Sequence, residues 1–131
     1  MDIDLQKLQI LVVEDNPRTL KLIQAVLKDM GVGQVFTAAD GREAETFLDA
    51  GSELINLIIC DWNMPRMSGL DLLKQVRMSN PDMPFLMVTA RGTIDSVTAA
   101  KKNGVSAYVV KPFSPAELEQ KVVSLARRIE G

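Results

Sequence analysis

Short apolar runs alternate along the chain with segments in which apolar residues recur every three or four positions. The five runs are almost continuous, which is typical of strands buried on both faces of a sheet. They are Gln9–Val13, Gln34–Ala38, Leu57–Cys60, Pro84–Thr89 and Ala107–Val110. Because no hairpin turn joins them, we predict a parallel sheet in which helices make the crossovers.

The segments between the runs have helical periodicity and residues typical of helix ends. Asn16 and Pro17 predict the start of the first helix and Gly31 its end, while Asp40 and Gly51 bound the second. The inward positions predicted for the five helices are Leu20, Ile23, Leu27 and Met30; Ala44, Phe47 and Leu48; Leu70, Leu73, Val76 and Arg77; Ile94, Val97 and Ala100; and Leu118, Val122, Leu125 and Ile129.

This alternation predicts an α/β fold with a five-stranded, doubly wound parallel sheet in the order 2-1-3-4-5. Ligands of such sheets bind at the carboxyl ends of strands one and three, where the strand order reverses. The helix predicted over residues 93–103 has the thinnest apolar stripe, so we expect it to pack weakly and to move. We expect residues 1–7 to be a polar lead-in and residues 1–131 to form a single domain.

The charge balance and the residue types that are rare or missing exclude several classes of function. Fifteen Lys and Arg against 17 Asp and Glu give a net charge of -2, which argues against nucleic acid or an anionic membrane as a partner. The amino end is acidic and no apolar run approaches a membrane span, so we expect a cytoplasmic protein. The chain has no His, which excludes His-based catalysis, and its single Cys60 lies within a strand and predicts an inert core thiol.

Polar residues with phosphoryl-binding chemistry follow four of the predicted strands. Glu14 and Asp15 follow the first strand and Asp61 follows the third, so the topology gathers three carboxylates at one edge. Such crowding raises carboxyl pKa values unless a cation is bound, and an oxygen-only ligand set suits Mg²⁺. Thr89 and Lys111 add a hydroxyl and an ammonium at the same edge, completing the parts needed to hold a phosphoryl group.

These motifs resemble the receiver domain of two-component response regulators. In chain order they are Glu14-Asp15, Asp61 followed by Asn63-Met64-Pro65 and Ser68-Gly69, Val88-Thr89-Ala90, Tyr108, and Lys111-Pro112-Phe113. The resemblance covers almost the whole chain, with the motifs in the family's order and spacing. It implies a flavodoxin-like (β/α)5 fold of the single-domain, chemotaxis type.

The resemblance also implies a phosphoacceptor and a metal site. Asp61 would accept a phosphoryl group from a phosphohistidine on a sensor histidine kinase or a His-phosphotransfer protein. Mg²⁺ would be held by Asp15, Asp61 and the backbone carbonyl of Asn63, with Glu14 acting through water. Glu14 stands where many relatives have Asp, and we expect only a tuning effect from its longer side chain.

Further residues would respond to the phosphoryl group. Lys111 would pair with its oxygens, and the peptide bond from Lys111 to the following proline would be cis. Thr89 would hydrogen-bond one oxygen, and Tyr108 would turn inward once Thr89 moves. Asn63 and Arg91 would set the rate of acyl-phosphate hydrolysis, and we expect Arg91 to shield the phosphoryl group and slow its loss.

The resemblance therefore predicts a phosphorylation-operated switch that regulates a protein target through the face of the fourth helix, fifth strand and fifth helix. A phosphorylation-dependent dimer is left open. One alternative is a Mg²⁺-dependent phosphohydrolase with Asp61 as covalent nucleophile, although Asn63 stands where such enzymes usually carry a second acid. The other is a docking domain that keeps the fold without the switch.

Overall fold

In the computed structural model, which describes residues 4–130, five parallel strands form one sheet in the predicted order 2-1-3-4-5. The strands are β1 (Gln9–Val13), β2 (Gln34–Ala38), β3 (Leu57–Cys60), β4 (Phe85–Thr89) and β5 (Ala107–Val110). The α-helices are α1 (Pro17–Met30), α2 (Gly41–Gly51), α3 (Gly69–Ser79), α4 (Ile94–Lys102) and α5 (Pro115–Glu130). Within this described part, no helix has the length and apolar character that crossing a bilayer requires.

The ends of the elements follow the predicted signals with small shifts. The Asn16 side chain accepts hydrogen bonds from two backbone amides of α1, and Gly31 ends that helix with a φ of 88°. The fourth strand begins at Phe85 because Pro84 has no amide hydrogen to donate to the sheet. Residues 5–7 of the predicted lead-in form a short 3-10 helix, and residues 1–3 lie outside the described residues.

Apolar side chains fill a layer on each face of the sheet, because successive strand residues point to opposite faces. Helices α2, α3 and α4 cover one face and α1 and α5 cover the other. The first layer includes Leu11, Ile58, Phe85, Leu73 and Ala100. The second includes Ile10, Ile59, Leu86, Leu27 and Val122. Cys60 is fully buried in the first layer, which confirms the predicted core thiol.

Two inward predictions are wrong. Ile94 is 84% exposed, because it lies in the first turn of α4, and that helix buries only Ala100 among its residues. Ile129 is 36% exposed, because the last turn of α5 lies at the rim of a surface cavity that Ile55 also lines. The weak packing predicted for the fourth helix is confirmed. Arg77, which was also predicted to face inward, is only half-buried, and its Nε donates to the Gly104 carbonyl.

A glycine at the start of α3 fixes the loop that leaves β3. The amide of Gly69 donates to the carbonyl of Trp62 at 2.8 Å. A Cβ on Gly69 would lie 2.0 Å from the backbone oxygen of Asp61 and 2.9 Å from the Cα of Trp62. Only a residue without a side chain therefore lets α3 begin against the strand end that carries Asp61.

We expect Gly69→Ala to lower the free energy of unfolding by about 1–3 kcal/mol, the usual cost of overpacking a tight site. The added Cβ meets backbone atoms, which cannot move aside without displacing Asp61. Urea unfolding measures the change. Gly51→Ala is the matched control, because its Cβ would meet only the flexible side chain of Leu54, at 3.2 Å. Equal stabilities of the two variants would contradict this account.

Candidate functional site

Three carboxylates meet at the carboxyl ends of β1 and β3. Val13 pairs with Cys60 in the parallel register, so the residues that follow them, Glu14 and Asp61, lie side by side. Ligand oxygens of Glu14, Asp15 and Asp61 all lie within 4.8 Å of one another. Glu14 and Asp61 are only 2% and 7% exposed, whereas Asp15 is open to solvent. The structure thus brings together the acids that the sequence predicted would converge.

Lys111 is the cation that pairs with two of these acids. Its Nζ donates to Glu14 Oε1 at 2.7 Å and to Asp61 Oδ2 at 3.2 Å. Its backbone amide donates to the carbonyl of Thr89 at 2.8 Å, which ties the start of the β5–α5 loop to the end of β4. The Lys111–Pro112 peptide bond is cis, as the resemblance implied.

The surroundings shift the pKa values of Glu14 and Lys111. Burial raises the pKa of Glu14, although hydrogen bonds from Lys111 and from the Asn16 amide oppose the rise. Burial would lower the pKa of Lys111, but its hydrogen bond to Glu14 and the charge of Asp61 outweigh that effect and raise it. Lys111 is therefore charged at neutral pH. Among the residues that the structure describes, Lys111 is the only ammonium bonded to this group of three carboxylates, so the site favours a further cation.

Backbone hydrogen bonds hold the Asp61 carboxylate in place. The amide of Asp61 donates to the carbonyl of Val13 at 3.0 Å. Its Oδ1 accepts from the amide of Trp62 at 2.7 Å, and its Oδ2 faces Lys111. The two carboxylate oxygens thus have different partners, and the side chain is oriented before any ligand arrives.

Arg91 forms a second, smaller cluster beside the acids. Its Nε donates to Asn63 Oδ1 at 3.0 Å, and its guanidinium carbon lies 4.9 Å from the centre of the Trp62 ring. Sequence reasoning assigned Trp62 to packing and missed this contact, although its position next to Asp61 was a usable signal. These side chains border a surface cavity of about 330 Å³, lined by Asp15, Trp62, Asn63, Met64, Pro65, Ser68 and Arg91.

Thr89 and Tyr108 connect to the site through Arg91. Thr89 is fully buried, and its hydroxyl oxygen accepts from the Arg91 amide at 3.3 Å. The Tyr108 hydroxyl donates to the Arg91 carbonyl at 2.6 Å. Burial raises the pKa of Tyr108, so the hydroxyl keeps its proton at neutral pH. Arg91 therefore joins the two predicted switch residues to Asn63, a link that the sequence did not indicate.

The ligand atoms suit a hard divalent cation. The three clustered side chains offer only carboxylate oxygens. The neighbouring Cys60 is no competitor, because burial raises its pKa well above the ordinary value and keeps the thiol protonated. Few oxygen ligands, partly open to water, are what Mg²⁺ accepts. The acidic group could therefore hold a metal ion, and its composition favours magnesium over zinc.

Comparisons with known proteins point to one family. The family model of the response regulator receiver domain matches residues 10–123. The chain is 36% identical over 126 residues to the chemotaxis protein CheY of Pseudomonas aeruginosa, covering 95% of this chain and all of that protein. It is 40% identical over 117 residues to CheY1 of Helicobacter pylori, covering 88% and 94%. The structure of the CheX-CheY-BeF3-Mg complex from Borrelia burgdorferi superposes with a TM-score of 0.86 at 27% identity, covering 90% and 88%.

The raised pKa of Glu14 predicts how stability depends on pH in the absence of divalent cations. The folded state holds the Glu14 proton more tightly than the unfolded chain. The resulting stability is fully present below the ordinary value of 4.5 and is lost as pH rises through the raised pKa. Glu14→Gln removes that loss, so its free energy of unfolding should rise relative to wild type across this window. Urea unfolding in EDTA over a pH series measures the difference.

The control for this experiment is Glu53→Gln, which makes the same change at an exposed glutamate. It shows how the same substitution acts away from the acidic cluster. A difference between Glu14→Gln and wild type that does not change with pH would contradict the assigned effect of burial.

Proposed function

The chain belongs to the response regulator receiver domain family, and we propose that Asp61 is the residue on which it is phosphorylated. Receiver domains are phosphorylation-regulated signalling switches rather than enzymes. The observation that carries the proposal is that Lys111 Nζ lies between Glu14 and Asp61, next to three convergent carboxylates. In this proposal, residues 1–131 act as one receiver domain in the cytoplasm.

We infer that Mg²⁺ is the cofactor. Asp15, Asp61 and the backbone carbonyl of Asn63 would hold it, and Glu14 would act through water. When bound, the ion offsets the charge of the carboxylates and of the incoming phosphoryl group. The excess of carboxylates over ammonium groups supports this inference, as does the oxygen-only character of the clustered side chains.

The proposed transfer uses a phosphohistidine on a sensor histidine kinase or a His-phosphotransfer protein. A carboxylate oxygen of Asp61 attacks phosphorus, a P–O bond forms, the P–N bond breaks, and the imidazole leaves with the partner. Lys111 exchanges its contact with Asp61 for one with the phosphoryl oxygens and so stabilises their charge. The chain catalyses no more than its own phosphorylation and dephosphorylation.

The phosphoryl group would act on the output surface through Thr89. The Thr89 hydroxyl would donate its proton to a phosphoryl oxygen, and the movement that brings it there would shift its contact with the Arg91 amide. Tyr108 is bonded to the same residue. Helix α4 follows directly and is weakly packed, so it can change position at low cost. Ile94 and Val110 are exposed on the α4-β5-α5 surface, which would meet the downstream protein target.

Incubation with acetyl phosphate and Mg²⁺ tests the central proposal. We expect the wild type to gain the mass of one phosphoryl group at Asp61, and chelation of Mg²⁺ to prevent it. Asp61→Asn should remain unmodified, while Asp49→Asn, at an exposed position on α2, should react normally. Intact-protein mass spectrometry measures the modification. Repeated turnover of a phosphate ester would instead support the phosphohydrolase, and an unmodified wild type would support the docking domain.

The contact of Arg91 with Asn63 predicts that the acyl phosphate lives longer in the wild type than in a variant without the Arg91 side chain. Arg91→Ala removes a side chain from the wall of the surface cavity beside Asp15, which lets more water in, and it removes a nearby positive charge. We expect it to shorten the phosphate lifetime by on the order of fivefold, equivalent to about 1 kcal/mol of barrier. Loss of the radiolabelled phosphoryl group over time measures the lifetime. Lys102→Ala removes an exposed charge from the end of α4 as the control, and matching lifetimes of Arg91→Ala and wild type would refute the shielding.

A further inference from the structure

Arg66 has an unusual backbone conformation in the loop between β3 and α3. Its φ is 69°, a positive value that no other non-glycine residue of the described chain adopts. The Met67 amide donates to the Pro65 carbonyl at 2.8 Å and closes a tight turn around it. A long side chain in this region costs free energy and persists only where its surroundings impose it. Contacts from outside the turn must therefore hold Arg66.

The N-cap residue and the first residue of α2 supply these contacts. An Arg66 guanidinium nitrogen lies 3.6 Å from Oδ2 of Asp40. The buried Asp40 uses its other oxygen to cap α2, accepting from the Glu43 amide at 2.8 Å. Beside it, Gly41 packs so closely that a Cβ there would lie 2.6 Å from the Met67 carbonyl oxygen. Helix α2 thus holds the loop at two adjacent residues, Arg66 and Met67.

The same loop borders the candidate metal site. Its residues Trp62, Asn63 and Pro65 line the cavity together with Asp15. The Asn63 ligand in the proposed function is a backbone carbonyl, whose position depends on the path of the chain rather than on its own side chain. A contact that fixes the loop at Arg66 therefore also limits where that carbonyl can lie.

We propose that Arg66 is a positioning residue: by tying the β3–α3 loop to the cap of α2, it sets how tightly the loop binds a divalent cation beside Asp61. The inference rests on the proposed function, since it concerns the same Mg²⁺ site. It assigns to α2, which contributes none of the three clustered carboxylates, a part in the affinity of that site. The Arg66 side chain is 72% exposed, so its effect is that of a partly solvated ion pair.

For Arg66, simple electrostatics predicts the opposite of what positioning predicts, so the Arg66 variant distinguishes the two. Removing a positive charge near a cation site should tighten cation binding, and removing a negative charge should weaken it. If positioning dominates, Arg66→Ala and Asp40→Asn should both weaken binding. Their effects should also fail to add in the double variant, because each change breaks the same contact. Asparagine keeps an oxygen that can cap α2 at position 40.

The experiment titrates Mg²⁺ at fixed ionic strength and follows the fluorescence of Trp62, the only tryptophan, with calorimetry as a second readout. We expect Arg66→Ala and Asp40→Asn each to weaken Mg²⁺ binding by about two- to fivefold. The double variant should bind Mg²⁺ with the same affinity as the single variant that binds it less tightly. Arg42→Ala is the matched control, because it breaks an exposed ion pair of α2 with Glu45. Its Mg²⁺ affinity should equal that of wild type.

Arg66→Gly separates positioning from general stability. Glycine accepts a positive φ, so this variant should unfold at a higher urea concentration than Arg66→Ala and yet bind Mg²⁺ no better. Unchanged or tighter binding in both Arg66 variants would overturn the inference while leaving the proposed function intact. A wild type that binds no Mg²⁺ would overturn the proposed metal site and this inference with it.

Discussion

Crowding of like charges at one edge of the sheet is the constraint on which the site depends. Glu14 and Asp61 are buried side by side, and Asp15 lies within reach of both. Within residues 4–130, Lys111 supplies the one ammonium that bonds to Glu14 and Asp61. Water cannot screen the two buried charges well, so each carboxylate raises the free energy of the other. The folded chain therefore favours the binding of a further cation at the place where a phosphoryl group would also bind.

The fold tolerates the electrostatic repulsion between the carboxylates because the strands that precede the acids are apolar and buried on both faces. The side chains of β1 and β3 fill two layers beneath five covering helices, and their register places Glu14 next to Asp61. Gly69 then lets α3 start against the backbone of Asp61. Burial of the strands thus fixes the position of charges that would separate if the chain were free to move.

Arg91 is where the charged edge meets the weakly packed part of the molecule. Its side chain contacts Asn63 and Trp62 beside the acids, and its backbone bonds to Thr89 and Tyr108. Helix α4 begins three residues later, with only Ala100 buried. A small rearrangement at the strand ends therefore has a short path to the exposed surface of a weakly packed helix, which is the property that a switch requires.

The sequence by itself determined the strands and helices, because apolar periodicity and helix caps are local signals. The sheet order and the converging acids then followed from the rules that govern doubly wound parallel sheets. The predictions that Ile94 and Ile129 face inward were wrong, because an apolar helical stripe does not tell which turns of a helix extend past the edge of the sheet. Only the tertiary structure decided that Lys111 bonds to Glu14, that Arg91 joins Asn63 to Tyr108, and that Asp40 holds Arg66. These contacts join residues far apart in the chain, and their partners are chosen by how loops pack in three dimensions.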